Sequence, residues 1–291
     1  MAPAVWSGVA DCLRPNNIVV DTDSAQSLSG GSINEAWRIQ SSHGPLFIKL
    51  NDAGRLAMFE AESEGLQEIA SSDAIRVPRV LGLGEFGSHC FLVLEYLELQ
   101  RPDAQAAAAL GEGLARLHDC EAEKFGWHRD NTIGTTPQIN EPDADWVSFF
   151  TRRRIAYQLS RARQAGATQL ADSGDLLCER LPAFFTGSTI RPSLLHGDLW
   201  GGNWAATDHQ PVLFDPAVYY GDPESDIAMT ELFGGFPPAF YETYRRRRPD
   251  QPGGHQRREL YRLYHVLNHF NLFGGGYAAQ ADRMIGRLLE A

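Results

Sequence analysis

The stretch Leu194–Trp204, "LLHGDLWGGNW", decides the fold of this chain. Two leucines close an apolar run, and a loop broken by Gly197, Gly201 and Gly202 follows. On that loop Asp198 and Asn203 stand five residues apart, with His196 just ahead of them. Further on, a second apolar run, "VLF", ends on Asp215. Taken singly, each Asp reads as a turn or cap residue, because its short carboxylate bonds nearby backbone amides. Taken together, in this order after apolar strands, they form a set suited to one chemistry.

That chemistry is phosphoryl transfer. In a catalytic loop of the type H-x-D-x-x-x-x-N, the Asp receives the proton of an acceptor hydroxyl and the Asn holds a divalent cation. His196, Asp198 and Asn203 reproduce the spacing, and Asp215 falls where a second metal ligand is needed. Magnesium prefers hard oxygens and binds through one or two carboxylates plus substrate phosphates. Asp198 is thus the candidate catalytic base, Asn203 and Asp215 the candidate Mg2+ ligands, and His196 a structural hydrogen-bonder. Asp226, in "GDPESDIAMTELF", is either a helix N-cap or a brace for the loop.

A phosphoryl donor needs its own cradle, and the texture of the chain supplies one. Up to residue 97 the runs "EAWRIQ", "PLFIKL", "VLGLGEF" and "HCFLVLEYL" read as strands, interrupted by one helix, "RLAMFEAESEGLQEIASS". From residue 98 onward the pattern is mainly helical, apart from short strands on either side of the Asp198 loop. The expectation is an α+β, bilobal architecture. Residues 1–97 form a small antiparallel-sheet lobe for ATP with one helix, and residues 98–291 a larger helical lobe for catalysis and substrate.

The chain has two lysines, Lys49 and Lys124, and writes its other cations as Arg. Strand alternation turns Lys49 inward, where an ammonium needs a carboxylate and a phosphate, and Arg's wide fork is no substitute. Phe59, Leu66 and Ile69 mark the buried stripe of the following helix. Glu62 lies on that stripe, with Glu60 and Glu64 turned away, so Glu62 is the expected partner. "SLSGGSINEAW" offers Gly30, Gly31 and Ser32 as a phosphate-covering loop, or simply a Gly-Gly hairpin turn. Glu95, Tyr96 and Leu97 form either the hinge that meets adenine or an ordinary strand end.

For the acceptor, Trp200 offers a flat apolar face and an N–H donor near Asp198; packing of the loop is the other reading. His265, Asn268 and His269 share one helical face, opposite Leu263, Val266, Leu267 and Phe270. That face is either solvated surface or a second wall of the acceptor cleft, with His269 the residue in reach.

The balance of 26 basic against 37 acidic residues, a formal charge of -11, disfavours nucleic acid and anionic membranes as partners. No apolar run approaches the roughly 20 residues of a bilayer span. Four scattered cysteines without a C-x-x-C pair, and no secretory leader, predict a reduced cytoplasmic protein. The Arg245–Arg248 run reads as a solvated helix C-terminus. Nothing in the sequence fixes the oligomeric state.

Over nearly its whole length the chain resembles the fructosamine kinase (ketosamine-3-kinase) family, relatives of aminoglycoside phosphotransferases within the protein-kinase-like fold. The resemblance rests on "GGSINEAW", "FIKLN", "MFEAE", "FLVLEYL", "FGWHRDNTIGTTPQIN", "DWVSFF", "LLHGDLWGGN", "PVLFDPAVYYGDPESDIAMTELFGGFPPAFY" and "NHFNLFGGGY". Trp200 is its most family-specific feature. The resemblance implies ATP-dependent phosphorylation of the O3 hydroxyl of a ketosamine, a fructosyl or ribulosyl adduct of an amine or protein lysine. The labile 3-phosphate then releases the amine. Asp198 is implied as the base, Asn203 and Asp215 as the metal ligands, and Lys49 with Glu62 as the phosphate-positioning pair. Two positions depart from the family. Ser32 stands where many members have Cys, which puts redox control in doubt, and Gly201 replaces a usual Ser. An aminoglycoside- or choline-type kinase is the competing enzyme, and a nucleotide-binding pseudokinase the competing non-enzyme. The latter requires loss of Lys49, Asp198, Asn203 or Asp215, and all four are present.

Overall fold

The computed structural model describes residues 4–29 and 33–291 of the chain. Helix α1 (Val5–Leu13) sets Val5, Trp6, Val9 and Leu13 on one face at three- and four-residue spacing. That face covers one side of a five-stranded antiparallel sheet built from β1 (Val20–Leu28), β2 (Glu35–Ser41), β3 (Gly44–Asp52), β4 (Val80–Phe86) and β5 (His89–Glu95). The spatial order is β1-β2-β3-β5-β4. Helix α2 (Leu56–Ser71) connects β3 to β4 and packs on the other side. The period of two along β3 places Leu46, Ile48 and Leu50 in the small core under α1. Phe47 and Lys49 therefore face the opposite way, into the cleft between the lobes.

This lobe departs from expectation in two elements. It holds two helices, where the sequence suggested one, and β1 joins the four anticipated strands. Strand β1, "VDTDSAQSL", is a mostly polar edge strand with little apolar alternation to signal it.

After the linker that follows β5, α3 (Ala104–Leu117) starts at Asp103, whose carboxylate accepts from the Ala106 amide at 2.8 Å. A small hairpin, β6 (Asn131–Ile133) and β7 (Thr136–Gln138), comes next. Helix α4 (Trp146–Phe149) passes through a π-helical turn at Phe150–Ile155 into α5 (Ala156–Gln164), followed by α6 (Thr168–Arg180). Four short strands then flank the loops of interest: β8 (Ser193–Leu195), β9 (Trp204–Thr207), β10 (Gln210–Leu213) and β11 (Tyr219–Gly221). Strand β8 pairs with β11 and β9 with β10. The remaining chain is α7 (Glu224–Leu232), α8 (Pro238–Arg247), α9 (Gly254–Phe273) and α10 (Tyr277–Glu290). One apolar core runs from Phe59 and Leu66 of α2 through Leu110 and Leu114 of α3 to Leu263, Val266 and Leu267 of α9.

One surface expectation holds and one is corrected. The arginine run closes α8 as a largely exposed helix C-terminus, where Arg247 and Arg248 bond Asp119 just past α3. His265 and Asn268 are buried, because α5, α7 and α10 enclose α9. The amide of Asn268 donates to Ile133 O and accepts from Gln158.

Candidate active site

Strands β8 and β11 bring the two decisive loops side by side. The turn into the first loop requires Gly197: its φ is +83°, and a Cβ there would lie 2.0 Å from Ala217 O. The Ala217 amide in turn donates to His196 O at 2.8 Å, tying the Asp215 segment to the Asp198 loop. Buried His196 accepts from the Asp198 amide at Nδ1 (3.3 Å) and donates from Nε2 to Phe214 O (3.0 Å). Those two bonds assign one neutral tautomer. Burial lowers its pKa, in keeping with that form.

Asp226 lies in the first turn of α7, with Pro223 at the N-cap position. Its carboxylate accepts from the His196 and Gly197 amides at 2.8 and 2.9 Å and from His118 Nε2 at 3.2 Å. Burial alone would raise its pKa, but these donors outweigh it and hold the acid below its usual value. The geometry is that of a brace under the loop.

Lys49 bonds Glu62 Oε1 at 2.5 Å and also contacts Asp215 Oδ1, so one ammonium joins the sheet, α2 and the second loop. Burial works against its charge, yet Asp215 and Glu62 more than compensate and hold its pKa above the ordinary lysine value. Asp215 itself adopts φ +55°, a left-handed conformation that costs a non-glycine residue energy and collects at functional sites. Asn203 donates to the backbone oxygen of Asp198 at 2.9 Å and to its Oδ2 at 3.3 Å, and keeps its own amide oxygen as an acceptor. Burial first, and the charge of Asp215 second, push Asp198 up to about 7.

These groups open into a single cavity of about 670 Å³. Lys49, Glu62, Asp198, Asn203 and Asp215 line it together with Glu95, Tyr96, Leu97 and Trp200. Gly30, Gly31 and Ser32 lie outside the described residues; Ile33 and Asn34, next to them, border the cavity. Trp200 is 40% exposed and lies over Gly202, where a Cβ would come within 2.3 Å of the indole. His269 is not a wall of this cavity. It sits one ring further out, 4.8 Å from Phe233, which in turn packs edge-on against Trp200 at 6.2 Å.

The sequence reading assigned no role to the segment "FGWHRDNTIGTTPQIN", and the structure puts it between α2 and the Asp215 loop. Arg129 reaches Glu64 at 2.6 Å and Glu60 at 3.1 Å, and His128 reaches Glu64 at 2.7 Å. The carboxylates that face away from Lys49 thus hold α2 to the second lobe. Asn131 donates to Val218 O (2.8 Å) and Gln138 to Ala217 O (3.1 Å), which secures the chain just after Asp215. Behind them, buried Arg154 bonds Asn140 and stacks 4.1 Å over the Tyr219 ring. The signal available in the sequence was the run of amides, Asn131, Gln138 and Asn140, which are costly to bury without such partners.

Among the described residues no cluster of three or more His, Cys, Asp or Glu could hold a metal on its own. Asp215 and the amide oxygen of Asn203 supply two hard oxygens, which fits magnesium if phosphates complete its shell and does not fit a dedicated protein cage.

A sheet lobe over a helical lobe, with an H-G-D-x-x-x-x-N loop in the cleft between them, defines an ATP-dependent phosphotransferase of the protein-kinase-like fold. The solved structure of a thermostable mutant of an aminoglycoside phosphotransferase shares that fold, with a TM-score of 0.65, 16% identity and coverage of 94% of this chain and 95% of that one. The fructosamine kinase family model matches residues 6–291, and the chain belongs to that family. It is 44% identical to a Synechocystis protein named "Probable ketoamine kinase", over 99% of this chain and 98% of that protein. It is also similar to the crystal structure of a candidate fructosamine-3-kinase from Haemophilus somnus, with a TM-score of 0.89, 29% identity and coverage of 98% and 97%.

Proposed function

We propose that this protein transfers the γ-phosphate of ATP to the O3 hydroxyl of a ketosamine, and that the labile phosphate then leads to release of the amine. The observation that carries the proposal is the convergence of Lys49, Glu62, Asp198, Asn203 and Asp215 on one cavity with Trp200 at its rim. Lys49, oriented by Glu62, positions the donor phosphates, and the 95–97 backbone receives the adenine. Asp198 lines the cleft, where it orients the acceptor hydroxyl and takes its proton; its raised pKa makes it a stronger base than an ordinary carboxylate. Asn203 and Asp215 would hold Mg2+, which supplies positive charge against the phosphate oxygens. His196 and Asp226 shape the loop and touch no reactant. Trp200 meets the sugar's C–H face, and His269 supports it from behind Phe233.

The test is ATP turnover against a panel of ketosamines, an aminoglycoside and choline, with the phosphate position of each product read by NMR. The expected result is turnover on ketosamines and a 3-phosphate product. Turnover confined to the aminoglycoside or choline would replace this reading with the competing one.

A further inference from the structure

Exposed aromatic rings are few on this molecule, and they are not scattered. Among the described residues four aromatic side chains are markedly exposed, Phe86, Trp200, Phe233 and Phe273, and the last three belong to one row. Phe233 meets Trp200 at 6.2 Å, His269 meets Phe233 at 4.8 Å, and Phe273 and Tyr277 flank His269 at 5.7 and 5.2 Å. The row begins at Trp200, beside Asp198, and runs outward over the end of α9 to the start of α10. Glycine pairs follow both outer phenylalanines: Gly234 and Gly235 at φ +94° and +76°, Gly274 and Gly275 at +65° and +64°. At such angles the chain turns where side chains are disfavoured. The helices therefore end abruptly at Leu232 and Phe273, and the Phe233 and Phe273 rings stay at the surface. Contiguous apolar surface of this kind marks a place where something binds.

We propose that Phe233, Phe273 and Tyr277 form a subsite for the amine side of the acceptor, selecting ketosamines whose nitrogen carries an aromatic or extended apolar group. The proposal rests on the ketosamine reading and adds to it the chemical class of the amine. With the sugar at Asp198 and Trp200, whatever the nitrogen carries continues along the surface that adjoins Trp200. The nitrogen is a secondary ammonium at neutral pH, and a cation gains when held over an aromatic face. The group beyond it gains by leaving water against the outer rings. Burial lowers the pKa of His269, so the ring at the centre of the row is neutral and does not repel that ammonium.

The experiment uses ketosamines that share one sugar and differ in amine: glycine, Nα-acetyl-lysine and tryptamine. The wild-type kcat/KM is expected to favour the tryptamine adduct over the glycine adduct by about tenfold or more. Phe273→Ser and Phe233→Ser should each cut that ratio severalfold, with the KM for ATP read alongside. Phe273 is 60% exposed, so its variant tests the row without disturbing the core. A wild-type ratio near one, or a ratio that survives both substitutions, overturns the subsite and leaves the ketosamine reading standing. Absence of turnover on every ketosamine overturns both.

Discussion

Asp198 is an acid whose pKa burial and Asp215 raise to about 7, and a base works only when ionised. The sign follows directly: a raised pKa means that activity is lost as pH falls through it. The kcat/KM for the acceptor should drop about tenfold per pH unit on the acid limb. A cation at Asp215 would cancel the charge that helps raise Asp198, so the limb is expected at or below about 7. Asp198→Asn should lower kcat by roughly 10²–10⁴ and leave ATP binding intact; near-normal turnover of that variant would remove Asp198 from the chemistry. At Trp200 the expectation concerns binding. Trp200→Ala should raise the KM for the ketosamine about tenfold, equivalent to ~1.4 kcal/mol, and that for ATP much less. Equal changes in both constants would return the indole to a packing role.

Helix α2 shows how an element serves two partners. Glu62 faces Lys49 on one side, while Glu60 and Glu64 face Arg129 on the other. The Arg129 guanidinium and both of its carboxylates are partly exposed, and such pairs contribute only about 0.2–1 kcal/mol each. Arg129→Ala should accordingly lower kcat by about three- to tenfold, with faster amide exchange in α2. Unchanged exchange would mean that packing of Phe59, Leu66 and Ile69 holds the helix unaided. The same helix marks the limit of what the sequence reveals. Its buried stripe and the choice of Glu62 follow from local periodicity, as the Asp198 loop follows from local spacing. The partners of Glu60 and Glu64 lie 64 to 69 residues away and leave no periodic trace. Helix α6 escaped notice for a similar reason: Gly174 interrupts it in sequence, yet a Cβ there would strike Leu159 of α5 at 2.3 Å. Periodicity found the polar face of α9 at His265 and Asn268 but could not tell burial against the β6–β7 hairpin from exposure to water.

Across the whole molecule three thiols, Cys90, Cys120 and Cys178, are quiet. Cys90 is fully buried, and burial pushes the Cys178 thiol up to about 12 and raises those of Cys90 and Cys120. A thiolate is the reactive form, so raised pKa values protect against mild oxidants. Activity and oligomeric state should change little between oxidant and reductant, and a reductant-reversible dimer on non-reducing gels would contradict this. The amines tell a parallel story through Lys49. Reducing sugars condense with unprotonated, accessible amines, and Lys49 is neither: it is 7% exposed and held protonated by Asp215 and Glu62. Lys124 is exposed and is the only other lysine in the chain. A catalyst proposed to undo sugar damage on amines thus offers that damage a single lysine target, outside the residues that line its cleft. Prolonged incubation with ribose, followed by peptide mass mapping, should find lysine adducts at Lys124 with activity retained. Adducts at Lys49 accompanied by inactivation would show that the ion pairs do not shield it.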